Sequence, residues 1–167
     1  MNRKILDIPR RWELGCLLLV LWCCGAIMWP VFRAARPAAR SAVCMFNLKQ
    51  LALGEIMYAN DNDDRLPPAR TWMDRITNWV KYADAFHCPS VKGENSYGYA
   101  MNVDCDKEKM AHEPEPERKV LLFESVLLGR NARSGVYGLP DPPRHEDRNV
   151  AVYVDGHARG FGRGKNP

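Results

Sequence analysis

Nineteen consecutive uncharged residues, LGCLLLVLWCCGAIMWPVF (Leu14 to Phe32), constrain this chain more than any other stretch. A helix of roughly 20 apolar residues is what crosses a ~30 Å hydrocarbon layer. The apolar core of a secretory signal is shorter, roughly 7–15 residues, and ends at a small-residue cleavage site. Here the run ends in Trp29-Pro30-Val31-Phe32 and passes directly into a basic amphipathic segment, RAARPAARSAVCMFNLKQLALGEIMYAN. It reads as a retained single-pass anchor.

The rest of the 167-residue chain suffices for one modest core. The predicted division is a polar, leader-like head (1–12), a transmembrane helix (13–32), an amphipathic continuation of that helix (33–60), a soluble head (61–162) and a tail (163–167). Met45, Leu48, Leu51, Ala52, Ile56 and Ala59 recur at helical spacing and predict a face that packs on the head, with Lys49, Gln50 and Glu55 placed elsewhere on the helix surface. Pro30 and Pro37 are expected to kink the helix rather than end it. The helix stops at Asn60-Asp61-Asn62-Asp63-Asp64, ahead of Pro67-Pro68. Thr71 with Asp74 resembles a capping box, and Trp72, Ile76, Trp79, Val80 and Ala83 mark the buried face of a second, short helix. Residues 96–102, 119–125 and 149–154 read as strands, and Asp155-Gly156 is a hairpin signal leading into HARGF. The expected fold class is α+β: a long N-terminal helix on a small antiparallel sheet, with one short extra helix.

The formal net charge of +4 is concentrated early, with Arg3, Lys4, Arg10 and Arg11 before the apolar run and Arg33, Arg36 and Arg40 after it. Arginines bordering a membrane helix read as headgroup anchors, so membrane lipid is an expected partner and nucleic acid is not. With both flanks basic, charge alone leaves orientation open. Enzyme activity is not expected: no cysteine–histidine spacing places a base beside a nucleophile, and neighbouring His87 and Cys88 side chains would point apart on a strand.

Of six cysteines, Cys16, Cys23 and Cys24 lie in the apolar run and Cys44 on the helix after it. Cys88 and Cys105 are 17 residues apart in the soluble part. They form either a disulfide, worth roughly 3 kcal/mol if the head is outside the cytoplasm, or two unpaired thiols.

No cofactor is expected, although calcium or another divalent ion stays open at two places. His145, Asp155 and His157 offer imidazole and carboxylate donors that a hairpin could bring together. The favoured reading is structural, with His145 bonded to backbone in a long loop and Asp155-Gly156 supplying the turn. Asp61, Asp63 and Asp64 resemble part of a calcium loop but lack its Gly and distal Glu, and a solvated helix end explains them equally well. Glu13, at the lip of the apolar run, is either at headgroup level or slightly buried and in want of a partner such as the start of a neighbouring helix.

Several of these elements occur together in one family. The segment from Ile27 to Pro68, the Cys44–Gln50 element CMFNLKQ, the YANDND element (Tyr58 to Asp63), Cys88-Pro89, the YGYAMN strand and a His-(nine residues)-Asp-Gly motif (His145, Asp155, Gly156) follow one another here. In that order they resemble pilin-like proteins of the type II secretion and type IV pilus class, in the subset with a C-terminal His-x9-Asp-Gly motif. The resemblance covers roughly residues 13–160. It implies a pseudopilin-like assembly subunit with its N-terminus in the cytoplasm, one helix in the inner membrane and an extracytoplasmic head. The implied partners are other pilin-like subunits, reached through the N-terminal helix, and an assembly platform. It also implies that Glu13, seventeen residues before Pro30, is the glutamate that pairs with the N-terminal amine of a neighbouring subunit. The chain departs from the family upstream, where Ile8-Pro9-Arg10-Arg11-Trp12 stands in place of a Gly followed by Phe-Thr-Leu. That departure favours an alternative, a membrane-tethered extracytoplasmic binding module that is neither processed nor polymerised.

Overall fold

The structure is a computed structural model that describes residues 11–93, 96–145, 148–162 and 167. The leader-like head, except for its last two residues, and most of the tail lie outside the described residues. The chain divides into two compact units, Met1–Arg36 and Pro37–Pro167.

In the first unit the described residues belong to α1 (Arg11–Asn60), which runs on as helix through Pro30 and Pro37. Leu14, Leu17, Leu18, Leu19, Trp22, Ile27, Trp29 and Phe32 are all exposed on it. A helix apolar all round whose side chains are unburied among the described residues suits lipid, not water. It is the one helix among the described residues long and apolar enough to cross a membrane, consistent with single-pass anchoring.

In the second unit, α1 supplies the spine of an α+β head. Cys44, Leu48, Leu51, Ala52 and Ala59 are fully buried, at the three- and four-residue spacings of one helical face. Glu55 falls on the same face and is also fully buried, which corrects its expected surface position. Among the described residues neither of its carboxylate oxygens has a hydrogen-bond partner, and burial pushes its pKa well up. At Gly54 a Cβ would come within 2.9 Å of Val80 Cγ2, so the glycine lets the segment after the second helix approach α1 closely.

That second helix, α2 (Trp72–Ile76), buries Trp72, Met73 and Ile76. Trp79 is only half-buried and Ala83 is exposed, so the buried face is shorter than expected. Thr71 makes no capping hydrogen bond. Instead Asn131, 58 residues away from Met73, accepts from the Met73 N–H at 2.9 Å. A tertiary contact has replaced the local cap.

The strands β1 (Tyr99–Asn102), β2 (Val120–Glu124), β3 (Arg133–Ser134), β4 (Arg148–Tyr153) and β5 (Ala158–Gly162) form one sheet in the order β3-β1-β2-β4-β5. Pairings β1–β2, β2–β4 and β4–β5 are antiparallel, but β1–β3 is parallel. The sheet is therefore mixed, not antiparallel as expected. After β2 the chain returns to the start of β1, where Tyr97 N–H donates to Leu128 O, and then runs alongside it, with Met101 N–H donating to Ala132 O. The two-residue β3 carried no alternating pattern by which sequence could announce it.

Strand alternation splits the buried side chains between two faces. Tyr99, Met101, Leu122, Val150 and Val152 pack in the same cluster as Cys44, Leu48 and Trp72. Ala100, Phe123, Ala151, Tyr153 and Phe161 form a second cluster. Glu124 is two residues past Leu122 and so points to the α1 side of the sheet.

Candidate functional site

Four chemically active side chains meet where α1 crosses the sheet. Cys44 is on the buried face of α1. Cys88 follows a 3-10 turn (Ala83–Phe86) and is fixed by its own backbone, its N–H donating to Tyr97 O at 2.8 Å and its carbonyl accepting from Val91 N at 3.0 Å. Glu124 ends β2, and His145 lies in the loop before β4, where its backbone exchanges hydrogen bonds with Arg148. One ligand atom from each of the four lies within 4.8 Å of the others, and all four residues are buried.

The Cys44 and Cys88 sulfurs are 3.1 Å apart. His145 Nε2 is 2.6 Å from Glu124 Oε1, with the two side chains 1% and 0% exposed. Ser90 Oγ lies 3.3 Å from the other imidazole nitrogen, Nδ1, and Glu124 Oε2 accepts from Val150 N–H at 2.9 Å. Each member thus has its far side tied down and its near side turned inward.

The electrostatics follow from that enclosure. Hydrogen bonding between the two thiols lowers the pKa of Cys88, aided by His145 and opposed by burial. The same bond, together with burial, raises that of Cys44, so Cys88 is the more acidic of the two thiols. Burial works to discharge His145, but hydrogen bonding to Cys88 and Glu124 outweighs it and lifts the imidazole to about 9. Thiolate, imidazole and carboxylate are donors that a transition metal takes.

The other predicted site residues go elsewhere. Of the two readings for Cys88 and Cys105, the structure has unpaired thiols, and Cys88 is set against Cys44 instead. Cys105 is fully buried and donates to Val120 O at 3.4 Å. All six cysteines are free thiols. Asp155 and Gly156 form the turn between β4 and β5, with Gly156 at φ +85° and its N–H donating to Tyr153 O. Asp155 Oδ1 lies 2.6 Å from His157 Nδ1, and His157 stacks on Tyr153 at 4.3 Å. The length of β4 lies between this turn and His145, at roughly 3.3 Å per residue, so the His145, Asp155 and His157 donors do not converge. Nor does His145 merely bond backbone: its ring belongs to the four-residue cluster.

At the end of α1, Asp63 and Asp64 take left-handed φ values of 54° and 60°. Asp61 accepts from Trp79 Nε1 at 3.1 Å, and Asp64 accepts from Ala111 N–H at 2.7 Å. These carboxylates close the helix end and hold two loops to it. Glu13 sits in the first turn of α1, half-buried.

Sequence reasoning missed Cys44 and Glu124 as site residues. Glu124 had a legible signal, a lone carboxylate at the end of the apolar strand VLLFE. Cys44 had none beyond its place on the buried helical face.

Residues 33–80 match the model of a family described as a protein of unknown function (DUF1559). No curated protein and no solved structure matches the chain.

Proposed function

We propose that this chain is a pilin-like assembly subunit of a type II secretion or type IV pilus-like system, held in the inner membrane with its N-terminus in the cytoplasm and its head outside. The observation that carries this reading is α1. Its first half is apolar and unburied within the chain, while its second half is the spine of the head. Such a helix gives each subunit the same long apolar surface, and identical copies can bury it against one another in lipid by close side-chain packing. The family match over 33–80 covers the junction between the two halves and supports the reading. Glu13 is the residue assigned to register, because a carboxylate at the membrane edge gains from an amine on a neighbouring helix. The assembly platform is the partner through which subunits would be recruited, and no catalytic step is assigned to the chain.

A single oxidative crosslinking experiment in native membranes tests this. Cys16, Cys23 and Cys24 are exposed on the first half of α1, so bundled copies should give dimers and higher species. Glu13→Leu should deplete the higher species while leaving the protein membrane-bound. Exclusively monomeric protein would favour the tethered binding module, and an intact mass beginning at Met1 would point the same way.

A further inference from the structure

We propose that Cys44, Cys88, Glu124 and His145 form a structural zinc site that fastens α1 to the sheet. The four ligand atoms come from four separate parts of the chain yet lie within 4.8 Å of one another, all buried. Two sulfurs, one imidazole nitrogen and one carboxylate oxygen make a donor set suited to zinc, whereas calcium and magnesium ask for oxygens throughout.

The surroundings are those of a ligand shell. Zinc-bound imidazoles usually donate their second N–H, and ligating carboxylates are themselves hydrogen-bonded. Here Ser90 Oγ lies 3.3 Å from His145 Nδ1, and Val150 N–H holds Glu124 Oε2, which leaves Nε2 and Oε1 facing the sulfurs. The sulfurs at 3.1 Å are too far apart for a disulfide, which needs ~2.05 Å. Tetrahedral zinc with Zn–S bonds of ~2.3 Å wants sulfurs about 3.8 Å apart, reached by a small rotation at the ends of two side chains.

Charge and access also fit. Zinc displaces to solvent the protons held by the two sulfurs and by His145 Nε2, and takes the lone pairs of Nε2 and Oε1, with no oxidation. Two thiolates, a carboxylate and Zn²⁺ leave one negative charge. The Arg144 guanidinium lies alongside, its Nη1 and the Cys88 Cβ both close to Gly98, and it is anchored by donating to Gly98 O and Ser125 O at 3.0 and 2.6 Å. A cavity of ≈ 220 Å³ lined by Pro37, Ala38, Ser41, His145 and Arg148 reaches the cluster from its histidine side. Four protein ligands leave no open position, so the metal's work is cohesion, not catalysis.

The test is elemental analysis of the full chain purified in detergent under reducing conditions, followed by cobalt substitution. The expected result is about one zinc per chain and, with cobalt, a thiolate-to-metal charge-transfer band. Cys88→Ser should bring both to background. Ser90→Ala, which removes no ligand, should weaken zinc binding ~10–100-fold. A chelator should lower the unfolding midpoint of the reduced wild type, a readout independent of how well the variants fold. Zinc absent from the wild type and not restored by reconstitution would overturn the proposal. So would a non-reduced, alkylated mass that shows Cys44 joined to Cys88 in a metal-free chain, or cobalt binding that Cys88→Ser leaves unchanged.

Discussion

Glu124 at the end of β2 and His145 in the loop before β4 bring Oε1 and Nε2 to 2.6 Å, with neither side chain more than 1% exposed. The contact ties a central strand to the loop that precedes its neighbour, 21 residues further along the chain. Removing one partner leaves the other buried without its counter-group, and breaking a buried pair in this way costs about 3–5 kcal/mol. His145→Ala is therefore expected to lose that much in denaturant unfolding of the full chain in detergent with chelator present. Replacing both partners, Glu124→Met with His145→Leu, should recover at least half. A loss under ~1 kcal/mol for the single variant would mean that the pair is solvated.

Glu55 sets a pH dependence of the opposite kind from that of a salt-bridged acid. Its folded pKa is raised above the unfolded 4.5, so the fold holds a proton that the unfolded chain releases. Stability is then greatest at and below pH 4.5 as far as this group is concerned, and declines as pH rises from there toward the raised value. Glu55→Met removes the orphaned carboxyl and should add about 1–3 kcal/mol at pH 7. Unfolding midpoints measured from pH 4.5 to 8 should slope less in the variant than in the wild type. Parallel slopes would show that another group governs.

Asn131 caps a helix to which it is not adjacent. Its Oδ1 accepts from the N–H of Met73 at 2.9 Å and of Asp74 at 3.4 Å, and its own φ is 54°. Asn131→Ala loses the cap and puts a Cβ-bearing residue of lower left-handed tolerance in its place. The expected cost is about 1–2 kcal/mol. Asn131→Gly keeps the backbone tolerance but not the cap, so its cost should be smaller. Trp72 fluorescence reports the local change, because Trp72 Nε1 donates to the neighbouring Ala132 O at 2.9 Å.

A charge placed in the first half of α1 tests the anchor directly. Leu21 is 67% exposed and lies two residues from the middle of the apolar run Leu14 to Phe32. Leu21→Arg should cost about 2.5–3.5 kcal/mol of insertion free energy, the scale for a cation at the helix centre. The expected outcome is a marked shift of the protein to the soluble fraction on alkaline extraction of membranes. Extraction identical to that of wild type would argue against a spanning helix.

Most of the local structure was legible because it is written at short range. Period-3.6 spacing announced the buried face of α1, short apolar runs (alternating only in 149–154) announced three of the five strands, and Asp155-Gly156 announced the hairpin that extends β4 into β5. Failures came where the decisive partner is distant in sequence. The parallel β3 is set by Ala132 and the return of the chain to β1, and α2 is capped by Asn131 instead of Thr71. Glu55 was misplaced although its spacing from Leu51, Ala52 and Ala59 put it on the buried face, because a carboxylate is ordinarily a surface residue.

By itself the sequence determined an apolar helix long enough for a membrane, a helical continuation with one buried face, and an α+β head, since each follows from residue periodicity and hydrophobic burial alone. Only the tertiary structure decided which polar groups meet. His145 and Asp155 share a motif but lie at opposite ends of β4, which holds them apart. Cys44 and Cys88 are 44 residues apart, yet helix-on-sheet packing sets their sulfurs at 3.1 Å. Burial then gives that contact its chemistry, because a thiol, an imidazole and a carboxylate taken out of water can satisfy their charges only with one another or with an ion.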